Sequence, residues 1–283
     1  MTGTPRKTRR RMVEWLVLLA AFFAAGWWFL RWFEQANVYH PTASMGSNGD
    51  ALRQPWEEVR LRTRDNLELG AWYFPASTNA PLRHLVVLVS HGNGGNISHR
   101  LPTYSLLLEL GVHVLAYDYR GYGQSQGKPN EAGTYLDAEA ALDWLQTRGF
   151  STAQVVAFGE SLGGGVATEL ALRHPDLRGL VLQSTFTSLI DLGSELFPIL
   201  PVRTIARYRY DTLSKLPRLQ TPVLILHSRQ DTLIPFHHAE RNFAAAREPK
   251  FLREIHGDHN DQPTVDPHLL SNALREFLTQ AKP

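Results

Sequence analysis

The stretch that decides the fold of this chain is Gln154–Gly165, Gln-Val-Val-Ala-Phe-Gly-Glu-Ser-Leu-Gly-Gly-Gly. It begins with an apolar run, Val155–Phe158, of the kind that forms a strand buried on both faces. The next five residues, 159–163, fit the elbow pattern Gly-x-Ser-x-Gly, in which the serine occupies a strained turn between a strand and a helix. Glycines on either side would allow the strand and the helix to approach closely. The stretch therefore predicts a nucleophile, Ser161, at a helix N-terminus.

The N-terminal region has the pattern of a membrane anchor. Residues 1–11 carry five basic side chains and no acidic one, and residues 12–30 carry a single charge, Glu14. At about 1.5 Å per residue, such an apolar run spans about 28 Å, close to the hydrocarbon thickness of a bilayer. We therefore expect a basic cytoplasmic tail (1–11) and a transmembrane anchor (12–33). The expected location of the remaining chain is the periplasmic side of a bacterial inner membrane.

A cleaved signal peptide is the alternative for this region, because small residues at 24–26 follow the apolar core. The aromatic block Trp27–Leu30 argues against cleavage, since a mature chain would then begin with exposed aromatic side chains. These tryptophans instead fit the aromatic belt of a membrane interface.

Composition excludes several classes of function. Without the five basic residues of the tail, Lys and Arg number 24 against 27 Asp and Glu, so the rest of the chain has a net charge of −3. A nucleic-acid-binding domain would need a basic face, and no nucleic-acid partner is expected. The chain contains no cysteine, which excludes disulfides, thiol catalysis and cysteine-ligated zinc.

The order of the predicted elements indicates the fold class. Residues 34–55, rich in Gly, Pro, Ser and Asn, are expected to form a linker, and residues 56–283 a single α/β domain. A hairpin is expected at Glu57–Thr63 and Leu67–Phe74, followed by apolar strands that alternate with helical patterns. This alternation predicts a mostly parallel sheet with helices on both faces, and a ligand site at the carboxyl ends of its strands.

A glycine-rich loop, Ser90–Asn96, follows the predicted strand Leu85–Val89. Acyl transfer requires two backbone N–H donors for the developing oxyanion, and we assign them to Asn93 and Leu162. A nucleotide-phosphate loop is disfavoured, because neither a Walker motif nor Gly-x-Gly-x-x-Gly is present. A plain turn remains the alternative.

The candidate general base is His259, which lies in a polar loop between a predicted strand and the final predicted helix, Pro267–Gln280. His256 is the competitor, although a position at the end of a strand suggests a structural role. The candidate acid is Asp231, in the turn after the predicted strand Val223–His227. A turn or capping role for Asp231 is the alternative, and Asp118 is the reserve acid. The chain order serine, aspartate, histidine favours Asp231.

No metal site and no cofactor are expected. His237 and His238 are adjacent, but the chain has no His-Glu-x-x-His helix. The other candidate pair, His256 and His259, is far from them in sequence.

Five motifs in order resemble those of the α/β-hydrolase superfamily over about residues 56–280. They are His91–Asn93, Asp118–Ser125, the elbow, Asp231–Pro235 and Gly257–Asn260. The fuller strings are similar to those of small, often membrane-associated hydrolases that include acyl-protein thioesterases; serine aminopeptidases and lysophospholipases share the fold. Asp118 and Arg120 are interpreted as a structural brace. Fold alone does not define a substrate.

An insertion at about 185–221 is expected to form a short helical cap. Its apolar stretch, Leu189–Ile205, would suit an acyl chain or would only cover the core, and its arginines (Arg203, Arg207 and Arg209) would attract a carboxylate or lipid phosphate or face water. The leading hypothesis is a membrane-anchored serine hydrolase that acts on esters or thioesters of small molecules, lipids or acylated proteins. The alternatives are a peptidase that binds an α-amino group through Glu195, and a silent membrane scaffold.

Overall fold

The computed structural model describes residues 5–280, with side chains from Arg9 onward, and it divides after His40 into two compact units. The first unit consists mainly of one helix, α1 (Pro5–Val38). In the described part of the chain, α1 is the one helix long and apolar enough to cross a membrane, with a mean hydropathy of 1.8 over its best window. A signal sequence satisfies the same criterion.

Helix α1 is longer than the predicted anchor at both ends, and it takes in the first residues of the predicted linker, 34–38. The rest of that linker contains a short strand and a 3-10 helix, Gly49–Leu52, whose first turn is capped by Asn48. Residues 1–4 of the predicted tail and residues 281–283 of the predicted domain lie outside the described residues.

The strands are β1 (His40–Pro41), β2 (Glu57–Arg62), β3 (Glu68–Phe74), β4 (Val86–Ser90), β5 (Gly94–Gly95), β6 (His113–Tyr117), β7 (Val155–Glu160), β8 (Gly179–Gln183), β9 (Val223–Ser228) and β10 (Lys250–Ile255). The helices after α1 are α2 (Leu101–Glu109), α3 (Glu131–Thr147), α4 (Leu162–Arg173), α5 (Leu189–Leu196), α6 (Val202–Ile205), α7 (His237–Ala245), α8 (Gln262–Val265) and α9 (Pro267–Gln280).

Eight strands form one sheet in the order β10-β9-β8-β7-β4-β6-β3-β2. The predicted hairpin is confirmed as β2 and β3, which pair antiparallel, and β3 pairs antiparallel with β6. The remaining pairs of the sheet are parallel, and they join β6, β4, β7, β8, β9 and β10 in that spatial order. The central strands are buried along their whole length, as their apolar composition predicts. The predicted α/β-hydrolase architecture is therefore present.

One predicted helix is interrupted. The pattern at Ile97–Leu110 predicts a continuous helix, but the structure has a 3-10 turn at Ile97–His99 and then α2, which begins at Leu101. Pro102 lacks an N–H group, and proline is tolerated at the start of a helix but not within one.

The strand order places a topological switch point between β4 and β7. After β4 the chain crosses to β6 on one side, and after β6 it returns to β7 on the other side of β4. Because such crossovers are right-handed, α2 and α3 lie on opposite faces of the sheet. At the carboxyl edge, Ser90 of β4 pairs with Gly159 of β7. Ligands of open α/β sheets bind at such a switch point.

One hydrophobic core fills the face covered by α2 and α9. Its fully buried members include Phe74, Tyr104, Leu107, Phe158 and Phe277. Burying a large side chain of this type contributes about 1.5–3 kcal/mol, so this core is a substantial source of folding free energy.

Candidate active site

The elbow has the strained geometry that its sequence predicts. Ser161 has φ +53° and ψ −116°, a backbone conformation that residues with a Cβ atom rarely adopt. A Cβ atom on Gly159 would lie 2.4 Å from the carbonyl oxygen of Gly163, and one on Gly163 would lie 2.0 Å from that of Ser90. Both positions therefore require glycine. The turn holds Ser161 at the N-cap of α4, directly before Leu162, and the residue is 5% exposed.

Ser161, His259 and Asp231 lie in one chain of hydrogen bonds. Nε2 of His259 is 3.0 Å from Oγ of Ser161, and Nδ1 of His259 is 2.8 Å from Oδ2 of Asp231. A carboxylate only accepts, so Nδ1 carries the proton and Nε2 of the neutral ring can accept the serine proton. The three residues follow the carboxyl ends of β7, β9 and β10. These strands are separate in sequence, but their carboxyl ends lie at the same edge of the sheet.

The surroundings of Asp231 keep its carboxylate ionised. Burial alone would raise the pKa of Asp231, but the hydrogen bond and charge of His259, together with the N–H of Ile234, lower it below its usual value. Oδ1 accepts from the N–H groups of Leu233 and Ile234 at 3.0 and 2.8 Å. The turn that sequence analysis proposed as an alternative role for Asp231 is thus present, and it uses the other carboxylate oxygen.

A second aspartate near these residues, Asp258, lies within the motif Gly257–Asn260, but the sequence indicated no role for it. Oδ1 of Asp258 accepts a hydrogen bond from the N–H of His259 at 2.8 Å and from the N–H of Thr232 at 2.8 Å. It thereby connects the turn of Asp231 to the loop of His259. These hydrogen bonds lower the pKa of Asp258. A carboxylate directly before the candidate base was the only available signal in the sequence.

The competing assignments lie elsewhere. Asp118, the reserve acid, accepts the N–H of Ile97 at 2.8 Å and lies 3.4 Å from Nε2 of His91. His256 is exposed and pairs with Asp266 at 3.2 Å. Arg120 makes a buried hydrogen-bonded pair with Asp137 at 2.9 Å. The structural interpretation of Asp118 and Arg120 agrees with these contacts.

Three consecutive carbonyl groups of the glycine-rich loop are held by side chains. The carbonyl oxygen of His91 accepts from the hydroxyl of Tyr119 at 2.8 Å, and that of Asn93 accepts from the hydroxyl of Tyr122 at 2.8 Å. The carbonyl of Gly92, between them, accepts from Nδ1 of His91 at 2.7 Å. In a trans peptide the C=O and N–H groups point in opposite directions. The orientation of the Asn93 N–H is thus fixed by the bond to Gly92.

This loop lies over the elbow. A Cβ atom on Gly92 would come within 3.5 Å of Cβ of Ser161. The close approach brings the peptide that carries the Asn93 N–H to the nucleophile, while Leu162 follows Ser161 directly as the first residue of α4. Gly92 is thus close to Ser161, and Leu162 is the next residue in the chain, which is consistent with the predicted donors Asn93 and Leu162.

A cavity of about 70 Å³ adjoins His259. It is lined by His99, Arg100, Pro102, Thr103, Glu160, Gln183, His259, Asn260, Pro263 and Thr264. Within it Nε of Arg100 lies 3.0 Å from Oε1 of Glu160, the residue before the nucleophile, and both side chains are largely buried. The cavity is small, and most of the residues that line it have polar side chains. No local pattern in the sequence indicates this ion pair, because its two members are far apart in the chain.

The insertion between β8 and β9 does not supply this wall. Its helices α5 and α6 are present, but the apolar tip between them is exposed, with Ile199 at 94% and Leu196 at 48%. None of the cavity residues belongs to the predicted apolar stretch 189–205. Arg203 lies 2.9 Å from Asp191. Arg203, for which anion attraction and exposure to water were both open, thus pairs with Asp191 and is 71% exposed.

Three side chains of this insertion and of α7 form a separate cluster. Oε1 of Glu195 is 3.1 Å from Nε2 of His237, and Oε2 is 3.3 Å from Nε2 of His238. Burial lowers the pKa of His238, although the neighbouring Glu195 partly opposes this. Glu195, which the peptidase alternative would use for an α-amino group, is thus engaged by two histidines.

Comparison with known proteins places this geometry in context. The family model described as alpha/beta hydrolase fold matches residues 86–203, which contain the glycine-rich loop and the elbow. An uncharacterised protein of Mycobacterium tuberculosis (strain ATCC 25618 / H37Rv) is 36% identical over 268 residues, 94% of each chain. The alpha/beta hydrolase domain-containing protein WAV2 of Arabidopsis thaliana is 33% identical over 254 residues, 81% of this chain and 82% of that one.

Solved structures with the same fold include an esterase of Pyrococcus furiosus, Pf2001. It superimposes with a TM-score of 0.70 at 23% identity and covers 86% of this chain and 97% of its own. At that identity the likeness establishes the shared fold and not the chemistry.

Proposed function

We propose that this chain, which belongs to the α/β-hydrolase family, is a serine hydrolase in which Ser161, His259 and Asp231 act as nucleophile, base and orienting acid. The observation that carries the proposal is the position of His259, with Nε2 3.0 Å from the serine hydroxyl and Nδ1 2.8 Å from the carboxylate. A nucleophile, a base within hydrogen-bond reach and a group that orients the base are the parts that covalent acyl transfer requires.

In the proposed reaction, Oγ of Ser161 attacks the carbonyl carbon of an ester or thioester while its proton passes to Nε2 of His259. The oxyanion accepts hydrogen bonds from the N–H groups of Leu162 and Asn93. The imidazolium, stabilised by Asp231, then gives its proton to the departing alcohol or thiol. A water molecule, deprotonated by the same ring, releases the carboxylic acid and regenerates the serine.

We propose that the cavity beside His259 receives the acyl group of the substrate, which limits that group to a short one. Its volume of about 70 Å³ is well below that of pockets for drug-sized ligands, which hold roughly 300–1,000 Å³. Arg100 and Thr103 contribute polar groups to its wall. We therefore propose carboxylic esters and thioesters with short or polar acyl groups as substrates, whether free molecules, lipid-derived compounds or acylated proteins. No cofactor takes part in this mechanism.

The proposed location is a membrane, with α1 retained as a single-pass anchor. The helix supplies the length and hydropathy, and the basic residues before it favour a cytoplasmic N-terminus and a periplasmic catalytic domain. Cell fractionation and the mass of the mature chain test this proposal. If the mature protein is soluble and lacks its first residues, the N-terminal segment is a cleaved signal sequence instead of an anchor.

The deciding experiment is hydrolysis of p-nitrophenyl esters from acetate to palmitate by the full chain in detergent, beside a Ser161→Ala variant. We expect activity that is highest for the short esters and absent from the variant. A preference for palmitate would contradict the proposed acyl-length preference while leaving the nucleophile assignment intact.

Two outcomes would favour the alternatives. If folded protein hydrolyses no ester but cleaves peptides, a peptidase of the same fold is indicated. If a fluorophosphonate probe also fails to label Ser161, the scaffold hypothesis replaces the enzyme.

A further inference from the structure

We propose that Glu195, His237 and His238 bind a divalent transition-metal ion of the zinc class, and that this ion connects the insertion between β8 and β9 to helix α7. The site is separate from the proposed catalytic residues and does not depend on their role. Glu195 lies near the end of α5, whereas His237 and His238 are the first two residues of α7.

The spacing of the three potential ligand atoms fits a tetrahedral ion. One atom from each residue can be chosen so that all lie within 4.8 Å of one another, and the two carboxylate–imidazole distances are 3.1 and 3.3 Å. Bonds of about 2.0–2.1 Å in tetrahedral geometry place neighbouring ligand atoms about 3.3 Å apart. The rings of His237 and His238 stack with their centroids 4.5 Å apart. A small rotation of the three side chains would bring their ligand atoms around one ion.

The second observation is an unsatisfied nitrogen. His238 is fully buried, and among the described residues its Nε2 has no hydrogen bond of acceptable geometry, although it faces the carboxylate of Glu195. Buried polar atoms are nearly always paired, so an orphaned nitrogen beside two other potential ligands points to a missing partner. A metal ion would satisfy it.

The group behind His238 can hold the tautomer that a metal requires. Thr187 Oγ1 is 2.9 Å from Nδ1 and donates its own proton to Asp191, also at 2.9 Å, so the hydroxyl oxygen can accept from a protonated Nδ1. In the other tautomer, in which Nδ1 carries no proton, the backbone N–H of Thr187 donates to Nδ1 at 3.2 Å. Metal-bound histidines commonly donate their second nitrogen to such an oxygen.

Access and charge also suit a metal. Glu195 and His237 have side chains that are 38% and 46% exposed, so an ion can enter from solvent and keep water in a remaining coordination position. Mixed imidazole and carboxylate ligands are typical of Zn²⁺ and neighbouring transition metals rather than of Mg²⁺ or Ca²⁺. The adjacent Asp191 is paired with Arg203 and Arg241 and is not needed as a ligand.

The test is titration of the full chain, freed of affinity tags and stripped with a chelator, with ZnCl₂ by calorimetry and with CoCl₂ by visible absorption. We expect one ion per chain and the intense absorption of tetrahedral Co²⁺. Glu195→Gln, at a partly exposed position, should weaken binding at least 100-fold without loss of fold. Thr187→Val should weaken it by about 10- to 100-fold through the orientation of His238.

The matched control is His256→Gln, which removes another histidine that pairs with a carboxylate, Asp266 at 3.2 Å, but has no third ligand. It should bind zinc as the wild type does. Hydrogen exchange in α5 should slow on addition of zinc in the wild type and in His256→Gln but not in Glu195→Gln. Absence of stoichiometric binding in the wild type, or equal binding in Glu195→Gln, would overturn the proposal.

Discussion

The carboxylate of Asp258 accepts hydrogen bonds from both the backbone N–H and the hydroxyl of Thr232, at 2.8 and 2.9 Å. Thr232 follows Asp231, and Asp258 precedes His259, so this contact joins the two loops that carry the proposed acid and base. The same oxygen also accepts the N–H of His259 at 2.8 Å. Asp258, which takes no part in the proposed proton transfer, thus links the two loops that carry the proposed acid and base.

Replacing Asp258 by alanine should lower kcat by about 10- to 100-fold with little change in KM, because a displaced His259 costs most in the transition state. Steady-state ester hydrolysis measures this effect. The control is Asp266→Asn, in the same region of the chain, which keeps an acceptor for the N–H of Leu269 and should retain activity. Equal losses in both variants would refute a specific role for Asp258.

The same contact predicts a dependence of stability on pH. The folded pKa of Asp258 is lowered by its bonds to Thr232 and His259, so its contribution is complete above the unfolded value of about 3.9 and is lost as pH falls through the folded value. The difference in Tm between wild type and Asp258→Asn should be constant above about pH 5 and shrink below about pH 4. A difference that grows on acidification would contradict this sign.

Replacing Asp231 by asparagine should reduce kcat by about 10⁴-fold, because an amide that donates to Nδ1 stabilises the wrong tautomer of His259. Asp118→Asn is the comparison. It keeps an acceptor for the N–H of Ile97 and should change kcat less than tenfold while lowering Tm. If Asp118→Asn were the more damaging variant for kcat, the acid assignment would have to be exchanged.

Gly159→Ala should destabilise the protein by at least about 3 kcal/mol, because the new Cβ atom would lie 2.4 Å from a backbone oxygen that cannot move freely. Gly94→Ala is the matched substitution, since a Cβ atom there meets nothing within 4 Å. We expect it to change the free energy of unfolding by less than about 1 kcal/mol. Urea unfolding of both variants tests the explanation.

The ion pair between Arg100 and Glu160, which line the cavity, gives a further prediction. Arg100→Met should lower the free energy of unfolding by about 1–3 kcal/mol, because it leaves the largely buried carboxylate of Glu160 without its cation. The double variant Arg100→Met/Glu160→Gln should recover part of that loss. A double-mutant cycle measures the coupling, and strictly additive losses would mean that the two residues do not interact energetically.

The sequence was sufficient to predict the fold class because local pattern and elbow chemistry agree. The hairpin β2–β3, the buried strands and α9 follow from periodicity alone, and the elbow glycines follow from sterics. The break before α2 was missed because helical periodicity continues across Pro102. Ser161, Asp231 and His259 were identified as candidates through motif order.

Contacts between distant residues account for what the sequence could not reveal. Glu195 is 42 residues from His237, and no local pattern indicates that α5 and α7 meet. The Arg100–Glu160 pair and the polar cavity depend in the same way on how α2 docks beside β7. Whether the apolar stretch 189–205 lines the site or covers the core stayed open at the sequence level, because composition does not indicate the direction in which a surface segment faces.

The three anchored carbonyl groups of the glycine-rich loop have a consequence for the energetics of turnover. A loop free to flip its peptides would have to reorient a dipole each time an oxyanion forms, and that reorganisation would add to every barrier. Here the hydroxyls of Tyr119 and Tyr122 and the ring of His91 impose the orientation from the buried side. In the proposed reaction, the reorganisation is completed when the chain folds, so the polarity of the oxyanion site is a property of the resting protein rather than a response to substrate.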